Sequence, residues 1–311
     1  MSSIVDLIEA TVRIEQQIED GRATVGTGFI VKATAADGSP RTILITANHV
    51  LAQMPRDKAS VGFRVRDDQG DWRFAPVSVR IRDADGDPIW TRHPTQDVAG
   101  IELPAGVTEE GLPAAELPGA RALHALGIEP GDEMMVLGYP RGFSANSAGF
   151  PILRAGRVAS FPLSPADRYP TYMLDFSVFG GNSGGPVYVV VTGPPENPLP
   201  TGPGVMITGI LTQQIKFEGD RLEIGNVTQA DFIEETMALM GAVRPTEVAA
   251  SDARLPQGDP EPAADPQLSA SDRLREAWDT FVTDLNILIR RAWIVARDAV
   301  LGWTTPKPKR V

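Results

Sequence analysis

The chain has 311 residues with 40 acidic and 29 basic side chains, a formal net charge of -11 that argues against nucleic acid as the main partner. It has no cysteine and three histidines, which excludes disulfides, thiol nucleophiles and thiolate metal sites and leaves few donors for a metal, so neither a metal nor a cofactor is expected. No stretch reaches the roughly 18 uncharged apolar residues of a membrane span, and Asp6, Glu9, Arg13, Glu15, Glu19 and Asp20 interrupt any signal-peptide apolar run, so a reducing, cytoplasmic location is expected.

In chain order, residues 1–10 read as a short leading helix, followed by strands over Thr11–Gln16 and Ala23–Thr34. Asp37-Gly38-Ser39-Pro40 punctuates a turn before a strand at Arg41–Ala47. Further strands are expected at Val61–Arg66 and Trp72–Arg82, parted by the turn Asp67-Asp68-Gln69-Gly70, and Asp97–Leu103 closes this first set of about six. Residues 104–130, rich in proline, form a connector. A second set follows at Glu133–Leu137, Ile152–Ser160, Tyr172–Ser177, Pro186–Thr192, Val205–Phe217 and Arg221–Val227, and Ala230–Met240 has the apolar spacing of a helix. Short strands with frequent turn signals predict an all-β architecture of antiparallel barrels or sandwiches.

Residues 243–268 are Pro, Ala, Asp and Glu with few large apolar side chains, the composition of a disordered linker. Within 269–303, Leu274, Trp278, Phe281, Leu285, Leu288, Ala292, Val295 and Ala299 recur at steps of four and three, an amphipathic helical seam. Three uses fit it: packing back on the body, self-association or a partner helix, and contact with a membrane surface, the last because basic residues gather near its end. Residues 304–311 are a basic tail.

Chemistry concentrates in Gly180-Gly181-Asn182-Ser183-Gly184-Gly185-Pro186, a serine set in glycine between two strands. Glycine permits backbone geometry and close approach that a side chain would block. A serine hydroxyl needs a base, and the base needs an orienting group. His49 follows the apolar strand Ile43-Leu44-Ile45, and Asp97 opens the alternating run Val98–Leu103. Asp83, Asp85 and Asp87 are alternatives to Asp97. His93 is expected on a surface loop, and His124 on a helical surface or connector.

With Gly26-Thr27-Gly28-Phe29, Thr46–Val50, Asp97–Leu103, Gly138-Tyr139-Pro140 and Asp175–Pro186 in this order, the chain resembles a chymotrypsin-fold, trypsin-like serine peptidase. Its motifs are nearest to the bacterial HtrA-type and glutamyl-endopeptidase-type branches, and the chain after residue 241 is too short for a PDZ module. The resemblance implies two six-stranded antiparallel barrels and a C-terminal helix within residues 1–240, the first barrel over about 11–104 and the second over about 130–240. It implies a cleft between the barrels, a catalytic set of His49, Asp97 and Ser183, and an oxyanion hole from the N–H groups of Gly181 and Ser183. Each such donor is typically worth about 3 to 4 kcal/mol in the transition state. Serine endopeptidase activity on polypeptide substrates follows, regulated because the compartment is intracellular. A latent scaffold working through the C-terminal helix is the alternative. In the family the residue six before the serine floors the primary pocket, here Ser177, with Thr212 and Gln214 on the lining strand. Ser177 disfavours Lys or Arg, and no histidine marks glutamate specificity, so an apolar or uncharged residue is expected. Asn182 stands where an aspartate pairs with a new N-terminal amine in other members, so activation by that ion pair is not expected.

Overall fold

The computed structural model describes residues 2–18, 21–117, 122–191, 204–217 and 220–243. The linker, the amphipathic helix and the basic tail read from the sequence lie outside the described residues, apart from Val243.

A capping box starts the chain: Ser3 accepts the Asp6 N–H, the Asp6 carboxylate accepts the Ser3 N–H, and helix α1 runs Ile4–Ala10. The elements that follow are β1 (Thr11–Gln17), β2 (Ala23–Ala35), β3 (Pro40–Thr46), α2 (Asn48–Ala52), β4 (Lys58–Arg66), β5 (Trp72–Arg80), β6 (Thr91–Arg92), β7 (Ala99–Glu102) and β8 (Leu112–Pro113). After α3 (Ala122–Ala125) come β9 (Glu133–Gly138), β10 (Ile152–Val158), β11 (Thr171–Asp175), β12 (Pro186–Val191), β13 (Gly204–Phe217), β14 (Asp220–Gln229), α4 (Asp231–Leu239) and β15 (Ala242–Val243).

β9 to β14 close into a six-stranded barrel in the order β10-β11-β14-β13-β12-β9. The first half is a nine-stranded sheet along β5-β4-β1-β2-β3-β7-β6, with β8 and β15 added to β2. Six of its strands are the long ones expected from alternation; β6, β8 and β15 are two residues each, too short for any period to register. The whole is the mostly-β, double-barrel architecture of the chymotrypsin class. Alternation is visible in β1, where Val12, Ile14 and Gln16 are buried and Glu15 and Gln17 are less so.

One core cluster fills the first sheet and reaches into the second half through Leu137, Tyr188, Val205, Ile207 and Ile210. The other fills the closed barrel with Met134, Val136, Tyr172, Leu174, Val187, Leu211 and Val227. The chain then returns to its first half: α4 packs on β7, where Met240 Sδ sits so close to Gly100 that an added Cβ would approach to 2.5 Å, and β15 pairs with β2.

Candidate active site

Strand register sets the site. Thr46 on β3 pairs with Ala99 on β7, so the residues just after one and just before the other, His49 and Asp97, leave adjacent antiparallel strands at the same end. In the second half Pro186 on β12 pairs with Ile210 on β13, which brings Ser183 beside Thr212 by the same logic.

His49 lies in the first turn of α2 and is held twice by one carboxylate. Its backbone N–H donates to Asp97 Oδ1 at 2.9 Å, and its ring Nδ1 donates to Asp97 Oδ2 at 2.6 Å. With Nδ1 carrying the proton, Nε2 is the acceptor and the ring orientation is fixed. Asn48 beside it accepts from Trp90 Nε1 at 2.9 Å, pinning the helix start. Both members of the His49–Asp97 pair remain about a third exposed, at 33% and 35%. Of the alternative carboxylates, Asp83 accepts the N–H groups of Asp85 and Asp87 in its own turn, and that turn holds all three.

The Ser183 loop is held by its backbone. Ser183 C=O accepts from Thr27 N–H at 2.8 Å, and Gly184 N–H donates to Leu211 C=O at 2.7 Å. Gly181 (φ +97) and Gly184 (φ +86) are in the left-handed region, and added Cβ atoms would lie 2.3 Å from Tyr139 O and 2.1 Å from Thr27 O. Only glycine fits either place. Gly180 C=O accepts from Arg141 N–H at 2.6 Å, and Asn182 C=O accepts from Gly185 N–H at 3.0 Å. In a planar trans peptide the N–H points opposite its C=O, so the Gly181 and Ser183 N–H groups face away from those partners. Among the described residues neither N–H has an acceptor within the protein.

The Ser183 hydroxyl donates to Thr212 C=O at 3.3 Å, and among the described residues it makes no hydrogen bond to His49. His49, Asp97 and Ser183 nevertheless line one cleft of about 570 Å³, together with Gln53, Val178, Phe179, Gly180, Thr212 and Gln213. Thr212 is buried, and its own hydroxyl donates to Asn226 C=O. Gln214 pairs with Gly225 further along β13, and its side chain lies outside the described part. Ser177 directly precedes the lining residues Val178, Phe179 and Gly180 and is not itself among those lining the cleft; its carbonyl accepts from the Arg154 guanidinium.

The structure keeps His124 where the sequence expects it, on a helical surface or connector, and takes His93 away from the surface loop expected for it. His124 is exposed on α3. His93 is buried at 7% exposure, edge-on to Phe232, with Nδ1 accepting from the N–H groups of Thr95 and Gln96 and Nε2 meeting Glu235 Oε2 at 2.9 Å. It locks the loop that leads to Asp97 against α4.

Thr27 escaped notice as anything beyond a motif letter. Its hydroxyl donates to Gly181 C=O at 2.7 Å and accepts from Tyr139 N–H at 3.1 Å, while its carbonyl accepts from Thr46 Oγ1 at 2.6 Å. One residue therefore ties the serine loop, through its side chain, to the strand that precedes His49, through its carbonyl. Arg64, also unforeseen, is buried with its guanidinium spent on Tyr139 Oη and the carbonyls of Glu9, Thr11 and Gly149. Burial raises the Tyr139 phenol, an effect partly opposed by Arg64.

A double-barrel β protein with a carboxylate-held histidine and a glycine-bedded serine in one cleft has the anatomy of a peptidase of the chymotrypsin class. The trypsin-like peptidase domain model matches residues 26–193, more than half of the chain, and the chain belongs to that family. No curated protein matches it in sequence. Solved structures similar to it include the scabies mite inactivated protease paralogue S-I1, at 14% identity and TM-score 0.47 over 76% of this chain and 96% of that one. The HtrA-type protease AlgW with a decapeptide aligns at 16% identity and TM-score 0.44, over 76% of this chain and 66% of that one. The protease Anisep from Arthrobacter nicotinovorans aligns at 14% identity and TM-score 0.44, over 76% and 97%.

Proposed function

We propose that the chain is a serine endopeptidase in which Ser183 is the nucleophile, His49 the general base and Asp97 its orienting group. The observation that carries this reading is the double grip of Asp97 on His49 in the cleft that also holds Ser183. As Ser183 Oγ bonds to the substrate carbonyl carbon, its proton passes to His49 Nε2; as the C–N bond breaks, the same proton goes to the departing amine. Water then repeats the sequence on the acyl-enzyme and releases the acid. The Gly181 and Ser183 N–H groups, turned from their own peptide partners, suit the oxyanion.

A second reading has its own observation: the Ser183 hydroxyl is bonded to Thr212 C=O. In that reading the protein is a latent peptidase fold acting as a scaffold. Labelling with a fluorophosphonate probe decides between them. Labelled wild type with unlabelled Ser183→Ala supports the enzyme, and absence of labelling with intact folding supports the scaffold.

The cytoplasmic, regulated setting and a tethering or self-associating role for residues 271–303 belong to the same proposal. Light scattering of the full chain and of a chain ending at residue 268 tests that role; an unchanged monomer ends it.

A further inference from the structure

Asp97 reaches His49 from a hairpin connection that its own strands do little to shape. β6 is two residues long and pairs with β7 only as Thr91 with Gly100 and Arg92 with Ala99. Beyond that ladder His93 N–H donates to Val98 C=O at 2.9 Å, which leaves residues 94–97 as the connection and Asp97 as its last member. So brief a ladder leaves many backbone conformations open to such a loop.

A side chain closes it. His93 Nδ1 accepts from the N–H groups of Thr95 at 3.3 Å and Gln96 at 3.0 Å, so one ring atom orders two of the peptides that lead to Asp97. With both donors aimed at Nδ1, the ring proton is on Nε2, which donates to Glu235 Oε2 at 2.9 Å. The ring is 7% exposed and edge-on to Phe232, 5.2 Å between centroids. Phe232 and Glu235 both belong to α4, so the loop is referred to a helix far away in sequence. The proposed reaction uses His49 and leaves this second imidazole without a task, although both of its nitrogens are committed.

We infer that His93 is the positioning residue of Asp97: by holding the Thr95 and Gln96 N–H groups it sets where the carboxylate stands, and through the carboxylate the tautomer and orientation of His49. It moves no proton in the reaction. The inference rests on the peptidase reading for its effect on turnover, and on the His93 contacts alone for its effect on the grip of Asp97 on His49.

Steady-state kinetics of His93→Phe and His93→Asn, each with and without Asp97→Asn, test it, with thermal melting to establish folding. Phenylalanine keeps a ring and loses both nitrogens; kcat should fall by about 100-fold, the cost of a catalytic group displaced by about 1 Å, while KM changes by less than about threefold. Asparagine offers a side-chain oxygen that accepts N–H groups a few residues on, so His93→Asn should return kcat to within about fivefold of wild type. In the Asp97→Asn background His93→Phe should change kcat by less than about twofold, because the group it acts through is already altered. An equal loss in both backgrounds overturns the inference, as does wild-type kcat in folded His93→Phe or a folded His93→Asn no better than His93→Phe. If His93→Phe does not fold, Glu235→Ala replaces it, since that carboxylate is 58% exposed. Its kcat should then fall about threefold with Asp97 present and not with Asp97→Asn, the size of one lost hydrogen bond, and an unchanged kcat overturns the inference.

The grip is also read without catalysis. In Ser183→Ala the proton that His49 Nδ1 donates to Asp97 Oδ2 should give a far-downfield proton resonance, lost on adding His93→Phe and kept on adding His93→Asn. That result upholds the positioning role even if the fluorophosphonate experiment assigns the scaffold. A resonance indifferent to His93→Phe, or none in Ser183→Ala itself, overturns it.

Discussion

The two halves of the molecule hold their parts of the cleft by different means. In the first, side chains do the holding: one carboxylate, Asp97, grips both the backbone and the ring of His49, and Trp90 steadies the turn through Asn48. In the second, the loop around Ser183 is fixed almost wholly by main-chain hydrogen bonds through glycines with positive φ. Substitutions in the first half should therefore alter chemistry while sparing the fold, and those in the second should alter the fold by adding a single methyl group.

Asp97→Asn is the sharpest test of the first half. An Asn Oδ1 can still accept the His49 N–H, so the loop should stay folded, but its amide offers a donor where Nδ1 now donates. The imidazole is pushed to the wrong tautomer, and kcat should fall by about 10⁴, the size of the corresponding change in the worked serine-protease template, a different protein. Steady-state kinetics with thermal melting check it; a large drop in melting temperature with kcat preserved in the folded fraction would contradict the division drawn here.

Gly184→Ala is the matching test of the second half. Its Cβ would press to 2.1 Å from Thr27 O and 2.2 Å from Thr46 Oγ1 at a φ of +86. Strain and displacement together should cost about 3 kcal/mol of stability. Gly180→Ala is the control, since an added Cβ there meets nothing within 4 Å. Denaturant unfolding of the pair should separate them widely.

Thr27→Val probes the joint between the halves. It keeps the shape but strips the donor from Gly181 C=O and the acceptor from Tyr139 N–H, both buried. Leaving such groups unsatisfied should cost about 2 kcal/mol. Because Gly181 carries one of the N–H groups assigned to the oxyanion, kcat should also fall, with KM less affected. Thr27→Ser should restore most of both.

These joints explain what could be read from the chain and what could not. Strands with a period of two, and a serine among glycines preceded by His and Asp in order, are local patterns, and the elements found from β1 to α4 follow them closely. Two-residue strands such as β6 and β15 carry no period. The roles of Thr27, His93 and Arg64 depend on partners remote in sequence: Gly181 is 154 residues from Thr27, Glu235 is 142 from His93 and Gly149 is 85 from Arg64. A threonine in a strand and a histidine in a polar loop look ordinary until the sheets bring those partners in.

Titration should act on the core from one side of the pH scale and on the surface from the other. Two strands of the closed barrel carry fully buried phenols, Tyr172 inside the barrel's own core and Tyr188 against the core of the first sheet. Desolvation pushes Tyr188 up to about 12 and Tyr172 higher still, the latter despite a hydrogen bond with Thr208. An unfolded tyrosine titrates near 10, so the stability these groups contribute is complete below about pH 10 and is lost as pH rises through their folded values. Alkaline unfolding should begin above pH 10, and Tyr188→Phe, which removes the group whose hydroxyl finds no hydrogen-bond partner among the described residues, should move the transition upward.

The acid side acts on a partly exposed ion pair and is the smallest effect. Arg41 bridges Glu102 at 2.5 Å and Met240 C=O at 2.5 Å, tying β3 and β7 to the end of α4. The hydrogen bond from Arg41 holds the Glu102 carboxyl below its usual range. Its contribution is therefore present above the unfolded value of about 4.3 and fades as pH falls through the lower folded one. Arg41 is largely covered but the Glu102 carboxylate is about half exposed, at 49%, and solvent-screened, so Glu102→Gln should cost under about 1 kcal/mol at pH 7. That cost should shrink below pH 4, where the wild-type carboxyl is itself protonated, whereas a cost unchanged between pH 7 and 3 would assign the contact to packing rather than charge.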